Sequence, residues 1–525
     1  MLAAVGRLRD LWWLARTLTA SGLLAPLRPD KYLRMAAVIR RHGTTPMTGI
    51  SLSAVRRPHA TALVDERGAL TYAELEARSD ALALGLADVA VGPVDAIAVL
   101  CRNHRGFVEA LSAAARIGAD AVLLNTGFSG PQLADVLARE KATVLVYDEE
   151  FSSIVEQTRS RVDGPVEILA WTDRPTDAPT VDALIDAHLG ERAPRPRRHG
   201  KTILLTSGTT GTPKGARRSG GGGAGALAAM FDRIPWRAEE TVVVAAPMFH
   251  AWGFGQLAVA VTMTSTVVMR RRFDPEAIVD LVDAHHATGL AVVPVMLERI
   301  VALPQEVLSR HSLRSLRFVT ASGSRMRADA VTRFMDLFGD VVYNSYNATE
   351  AGLISIATPW DLRAAPDSAG RPVAGTDLRI VDDQMREVPH GDVGKILVLS
   401  DSQFEGYTSG DAKHFDGGYM VSGDLGRLDD HGRLHVVGRD DEMIVSGGEN
   451  VYPTEVEETL NAHPAVLEAA VVGVDDESFG QRLAAFVVLH PGRQSTAEEM
   501  KQHVKDQLAG YKVPRDVTFR DDLPR

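Results

Sequence analysis

Cysteine is nearly absent from the chain: among 525 residues only Cys101 carries a thiol. One thiol excludes an intramolecular disulfide and any zinc site built on a cysteine cluster. It ends the apolar run Ala96-Ile97-Ala98-Val99-Leu100, which reads as a buried strand, so a core thiol is expected rather than a nucleophile. Positive charge is also short. The 57 Lys and Arg against 68 Asp and Glu leave a net charge of −11, which argues against a nucleic-acid partner, because phosphate backbones want a basic face. No apolar run approaches the roughly 20 residues that span a bilayer. With 45% hydrophobic and 24% charged residues, the balance is that of a globular protein, neither disordered nor collagen-like. The expected compartment is reducing cytoplasm, and the length suggests about three or four core units or fewer, larger ones.

What basic charge exists is concentrated at the start. The first 60 residues hold ten Arg and Lys but only Asp10 and Asp30. Within them lies Leu11-Trp12-Trp13-Leu14-Ala15, followed by Leu18, Leu23, Leu24 and Leu27 and interrupted by Arg16. Two readings stay open: a basic amphipathic helix at a membrane surface, or a helix packed on the protein's own body.

From about residue 60 the pattern alternates. Thr71-Tyr72-Ala73-Glu74 matches a capping box, and Leu75, Leu82 and Leu86 recur at helical spacing. Strand-like 96–101, 121–124 and 143–146 then enclose helix-like 107–117 and 131–139, a βαβαβ order that implies a parallel sheet covered by helices. A Pro/Arg-rich stretch, Arg192 to Gly200, is expected to separate this half from the next, where 203–205, 242–244, 266–268, 290–293 and 317–319 read as strands. After about 370, short strands are broken by Asp382-Asp383, Gly417-Gly418 and Asp429-Asp430-His431-Gly432, a hairpin texture. The tail from about 441 reads as a small α+β domain.

The segment richest in chemistry follows the strand at 203–205. Thr206-Ser207-Gly208-Thr209-Thr210-Gly211-Thr212-Pro213-Lys214-Gly215 packs three glycines, five hydroxyls and one lysine into ten residues. Glycine permits close backbone approach, hydroxyls and amides donate to oxyanions, and lysine adds charge: a phosphate cradle. It is not a Walker A loop, whose spacing does not fit.

This segment resembles the phosphate loop of the acyl-adenylate-forming superfamily, which includes acyl-CoA synthetases, adenylation domains and luciferases. Further motifs resemble that family's in the same order. They are Pro247-Met248-Phe249-His250 beside the acyl pocket, Tyr346-Asn347-Ala348-Thr349-Glu350, Tyr419-Met420-Val421-Ser422-Gly423-Asp424, and Gly438-Arg439-Asp440-Asp441 before Ser446-Gly447-Gly448-Glu449. The resemblance covers roughly residues 50–525. It implies an α/β fold: a large domain of two parallel βαβ-type subdomains with a small β-barrel-like unit, then a small mobile α+β domain. The boundaries expected are a basic segment at 1–45, the large domain at 46–440 and the small domain at 441–525.

The resemblance also implies roles. Thr206, Ser207, Gly208, Thr209, Thr210, Gly211 and Lys214 would hold ATP phosphates. Ser322, Gly323 and Ser324 would form a small-residue adenine wall, with Tyr346, Asn347 and Ala348 opposite. Thr349 and Glu350 are hard oxygen ligands suited to Mg²⁺. Asp424 and Arg439 would take the ribose, Asp441 would be a hinge, and Gly447 and Gly448 would face coenzyme A. His250 would sit near the acyl carboxylate and orient it, not act as general base.

Two departures stand out. Asn347 replaces the family's usual glycine, where tolerance of left-handed φ would preserve the turn. The family's catalytic lysine is expected a few residues beyond a segment like Asp522-Leu523-Pro524-Arg525, and Lys501 and Lys512 stand out of register for it. The activity implied is ATP-dependent conversion of a fatty acid, of medium or long chain, to its acyl-adenylate and then to its coenzyme A thioester; the N-terminal segment leaves peripheral membrane contact open beside it. The alternatives are a fatty acyl-AMP ligase that loads a carrier protein, and a nucleotide- or acyl-binding protein without turnover.

Overall fold

The continuous apolar runs form strands buried on both faces, as parallel sheets require. The computed structural model describes residues 2–90, 94–162, 164–206, 214–218, 223–401, 414–446, 449–476 and 480–523. Ala96–Leu100 is buried at every position and lies central in a six-stranded sheet. The spatial order is Val166–Trp171, Val144–Asp148, Ala96–Leu100, Asp120–Leu123, Thr202–Thr206, Lys214–Arg218. All pairs are parallel except the last. The expected capping box forms at Thr71, whose hydroxyl accepts from the Glu74 N–H while the Glu74 carboxylate takes the Thr71 N–H; Leu75, Leu82 and Leu86 are fully buried below it.

A second, nine-stranded sheet carries Phe318–Ala321 and Val342–Ala348 side by side, with Thr61–Asp65 and Gly68–Thr71 at its far edge. The Arg192–Gly200 stretch therefore does not divide the chain as expected. The strand after it, Thr202–Thr206, pairs with Asp120–Leu123 in the first sheet, while Thr61–Asp65, from before it, pairs with Thr266–Val268 in the second. Close packing explains the difference. A Cβ at Gly200 would lie 1.8 Å from the Ala119 carbonyl oxygen, and Arg198 bonds Asp120 at 2.9 Å, so the stretch is welded to the first sheet.

Cys101 is fully buried, and burial together with the Asp148 carboxylate pushes its thiol pKa up, as expected of a core thiol. Among the described residues, Cys101, His104 and Asp148 alone approach a metal-like cluster. Their atoms are already committed. The Gly106 N–H donates to His104 Nδ1 at 3.1 Å, which leaves Nε2–H to donate to Asp148 at 2.7 Å, and the other Asp148 oxygen accepts from the Arg102 N–H at 2.9 Å. The trio caps a helix and pins two strand ends.

Helix α1 (Leu2–Ala20) buries Leu18 and packs Trp13 and Leu14 partly against the core, while Leu11 and Trp12 stay exposed. Helix α2 (Pro29–His42) follows. Among the described residues no helix is long and apolar enough to cross a membrane.

The described chain forms two compact units. One holds everything to Thr376 with Ser400 and Asp401; the other holds Asp377–Leu399 and the described residues from His414 onward. The second contains a five-stranded hairpin sheet, turned at Gly417 and Gly418 with φ of 52° and 91°. Its last sheet is covered by helices Pro453–Asn461 and Ala497–Gln507, whose Val456, Leu460, Met500 and Val504 are fully buried.

Candidate active site

Strands Thr202–Thr206 and Lys214–Arg218 are antiparallel neighbours, with Thr206 directly opposite Lys214. The register thus brings both ends of the glycine-rich segment to one place. Ser207, Gly208, Thr209, Thr210 and Gly211 themselves lie outside the described residues.

Beside this hairpin the first unit encloses a cavity of about 2000 Å³. Its wall takes Leu204 and Leu205 from the hairpin, Leu227 and Met230 from helix Ala224–Phe231, and Trp252, Phe254 and Val259 from helix Ala251–Thr262. Gly323, Ser324, Asn347, Ala348 and Thr349 line it from the strand ends of the second sheet. Ligand sites collect outside the carboxyl ends of parallel strands because loops diverge there. Tyr346, half-buried, and Glu350, buried, flank the Asn347–Thr349 segment.

His250 is the N-cap residue of helix Ala251–Thr262 and lines the cavity. Its side chain is exposed, yet the protein around it desolvates the ring enough to hold its pKa below the ordinary imidazole value. The ring lies 4.4 Å from that of Phe249, centroid to centroid. A neutral imidazole in an apolar wall can hydrogen-bond a carboxylate or carboxyl without opposing charge.

Asn347 is accommodated differently from the left-handed turn anticipated for it. The described non-glycine residues with positive φ do not include it. Instead the pairing with strand Gly352–Ala357 slips between Tyr346 and Asn347, a bulge that absorbs the residue. The Ser322 hydroxyl donates to Asn347 Oδ1 at 2.5 Å, tying the Ser322–Ser324 segment to the bulged strand. Gly323, at φ 106°, needs to be glycine. Thr349 and Glu350 offer a hydroxyl and a carboxylate, a donor set that fits Mg²⁺ with phosphate oxygens completing its shell.

In the second unit, Asp424 and Arg439 face each other across paired strands, with the guanidinium donating to Asp424 at 3.1 Å. The Asp424 N–H donates to Ser422 Oγ at 3.0 Å. Asp441 lies in the single turn Asp440–Glu442, between the hairpin sheet and the last sheet. Gly447 and Gly448 fall outside the described residues.

Three contributors escaped sequence reasoning. Buried Asn103 donates to the Val244 and Ala246 carbonyls at 3.3 and 2.9 Å and accepts from the Met248 N–H at 2.9 Å, so it fixes the segment leading to His250. Its signal was its place just past a parallel strand's carboxyl end. Gly253 is the second: a Cβ there would meet the Pro247 carbonyl oxygen at 2.2 Å. The third is α1, whose Leu11 to Leu14 line the cavity.

A hairpin joined by a glycine- and hydroxyl-rich segment, a small-residue wall and an apolar cavity in one α/β unit make a nucleotide-using enzyme of carboxylic acids the class to test, and comparison with known proteins agrees. Residues 50–408 match the AMP-binding enzyme family, and residues 455–525 match the AMP-binding enzyme C-terminal domain. The chain is 34% identical to a feruloyl-CoA synthase from an Amycolatopsis species, over 89% of this chain and 93% of that one. It is 29% identical to a fatty acid–[acyl-carrier-protein] ligase, ScoC, from Streptomyces coeruleorubidus, over 90% and 92%. The o-succinylbenzoate CoA synthetase of Bacillus subtilis, solved with its acyl-adenylate, superposes with a TM-score of 0.78 at 28% identity, covering 91% of this chain and 95% of that one. The chain belongs to the AMP-binding enzyme family. Within it, the chain is an AMP-forming acid–thiol ligase that uses ATP, Mg²⁺ and coenzyme A.

Proposed function

We propose that the acid is a medium- or long-chain fatty acid, activated as its adenylate and transferred to coenzyme A. The apolar cavity carries this reading: Phe254, Met230 and Leu11–Leu14 of α1 line it together with His250 and Thr349, and its volume of about 2000 Å³ has room for an extended alkyl chain. In this reading Thr206, Lys214 and the loop between them hold the ATP phosphates. The wall at Ser322–Ser324 and the strand end at Tyr346–Ala348 take adenine, and Asp424, held by Arg439, accepts from the ribose hydroxyls. Thr349 and Glu350 hold Mg²⁺, whose charge offsets that of the meeting anions. Neutral His250 orients the acid, Asp441 is the pivot of the small domain, and Gly447 and Gly448 belong to the face that admits coenzyme A. The basic apolar segment 1–45 contacts membrane.

A second reading, an aryl-substituted acid, is favoured by Phe128, Trp252 and Phe254 in the wall and by the feruloyl-CoA and succinylbenzoate-CoA relatives. Competition between hexanoic, decanoic, palmitic, ferulic and indoleacetic acids, scored by AMP and acyl-CoA formed, separates the two. Highest kcat/KM for decanoic or palmitic acid supports the fatty-acid reading, and preference for ferulic or indoleacetic acid replaces it. Acyl-adenylate that accumulates in the presence of coenzyme A would point to a carrier-protein acceptor instead.

A further inference from the structure

Helix Ala251–Thr262 carries two polar side chains out of keeping with its apolar composition, Gln256 and Thr262, and both residues line the large cavity. Thr262 is satisfied within the helix, its hydroxyl donating to the Ala258 carbonyl at 2.7 Å. Gln256 is not. The residue is 1% exposed, and its Oε1 is buried with no hydrogen-bond partner in the protein. Folding strips water from such a carbonyl and normally returns a donor; where none comes, the buried acceptor weighs against the folded state.

Other polar groups of the same wall show that this is an exception. The Trp252 indole N–H donates to the Val292 carbonyl at 2.9 Å, and Asn125 Oδ1 accepts from the Gly127 N–H at 2.8 Å. Gln132 Oε1 accepts from both the N–H and the hydroxyl of Ser129 at 3.1 Å. Among the described residues that line the cavity, Gln256 alone holds a buried side-chain polar atom without a partner. Methionine, unbranched and of similar length, would occupy the position without leaving an acceptor unpaired. No contact within the protein explains the amide, and the cavity's occupant is what can supply the donor. The last torsion of a glutamine is broad, so the amide turns towards such a group at little cost.

We propose that Gln256 is a specificity-determining residue, accepting a hydrogen bond from a hydroxyl that the acid carries on its carbon frame, remote from its carboxylate. This rests on the reading above in which the cavity takes the acid and His250 orients it. Helix geometry sets the spacing: five residues on from Ala251, which directly follows His250, Gln256 stands about 7.5 Å further along the axis. A hydroxyl next to the carboxylate is too near. One at the end of a medium alkyl chain, or across an aromatic ring, is at a suitable distance. A hydroxyl is also neutral, whereas a charged donor would lose its hydration against a wall that includes Trp252, Phe254 and Val259.

Two matched pairs of acids test the assignment: 8-hydroxyoctanoic against octanoic acid, and 4-hydroxycinnamic against cinnamic acid, each with wild type and Q256M. A site that hydrogen-bonds a substrate hydroxyl disfavours the analogue that leaves its carbonyl unpaired. One such bond corresponds to about tenfold, so wild type should favour the hydroxylated member of one pair by at least that factor in kcat/KM. The pair that discriminates tells an alkyl from an aryl frame. In Q256M that preference should fall to within about threefold, with no drop in melting temperature, because the substitution removes an unpartnered atom. Equal kcat/KM within both pairs in wild type, as expected of an amide satisfied by water alone, overturns the proposal and leaves the ligase reading intact. A preference that survives in Q256M overturns it as well, by assigning the discrimination to another residue. Turnover of none of these acids, nor of those in the competition above, removes the reading of the cavity as the acid's site and the role of Gln256 with it.

Discussion

Substituting Gly253 by alanine sets two known effects against each other at the wall of the large cavity. Gly253 is the third residue of helix Ala251–Thr262, three past His250. Helix propensity alone makes Gly→Ala favourable by about 0.5–1 kcal/mol. The added methyl, however, would stand 2.2 Å from the Pro247 carbonyl oxygen and 2.7 Å from that of Ala246. Ordinary contact begins near 3.5 Å, so one element must yield by about 1 Å. Both neighbours are backbone, and Asn103 clamps that backbone through three hydrogen bonds, so the helix start is what moves. Overpacking of this kind costs about 1–3 kcal/mol, which outweighs the propensity gain. The displaced residue is His250, and misplacement of a positioning group by about 1 Å costs on the order of 10²-fold in rate. G253A should therefore lower kcat/KM for the acid about a hundredfold while leaving ATP affinity within about threefold, because the hairpin belongs to another sheet. The assay is acid-dependent AMP formation beside equilibrium ATP binding. Activity within threefold of wild type would show that the helix start does not position the acid, and the reasoning from Gly253 to His250 would fail.

Glu350→Gln should reduce Mg-ATP-dependent acyl-CoA formation by about 10²-fold, the effect of removing one charge-stabilising group, and unchanged turnover would free Glu350 of the metal role. Asp441→Pro fixes φ near −65° in the turn between the two sheets of the second unit; transfer from supplied acyl-adenylate to coenzyme A should drop at least about tenfold, read by single-turnover quench, and an unaltered rate would make 441 an ordinary turn. His42, buried at the end of α2, is held at about pKa 4 by burial and then by the Arg116 guanidinium. A lowered histidine pKa gives stability that is full above the ordinary value of about 6.5 and is lost as pH falls from there to about 4, up to roughly 3 kcal/mol. The acid-side fall in melting temperature between those limits should accordingly shrink in H42N, and an identical slope in both proteins would remove His42 from the acid response.

Local pattern was readable where one residue spacing decides one element. The Thr71–Glu74 capping box and the doubly buried 96–100 strand follow from side-chain chemistry within a few residues, and both form as read. The cysteine was equally legible, because its apolar context determined its burial. Pairing was not. Whether Thr202–Thr206 joins the sheet before it or after it depends on backbone hydrogen bonds and close approaches, such as Gly200 on Ala119, between residues some 80 positions apart. A Pro/Arg-rich composition says only that the stretch is no helix.

The site divides along the same line, and the division explains which parts of it remain open to experiment. The proposed phosphate and metal chemistry is short-range: a carboxylate, a hydroxyl or a glycine turn is conspicuous by its own type, so Thr206–Lys214 and Thr349–Glu350 stood out in sequence. The acyl cavity has no such signature. Its wall is assembled from Leu, Trp and Phe, residues that read as core in any sequence, and only contact geometry separates core from lining. Trp252 shows how small the difference is: its indole N–H is spent on the Val292 carbonyl at 2.9 Å and the residue is buried, yet it also lines the cavity. Helix α1 is the extreme case. In sequence it offered a choice between packing on the protein and lying on a membrane, as though one excluded the other. A helix of L-residues has two faces, however, and Leu18 is buried on this one while Trp12 is exposed. Leu11 to Leu14 line the cavity while Leu18 packs in the core, so the chemistry of the cavity wall depends on a helix whose sequence alone suggested no place at the site.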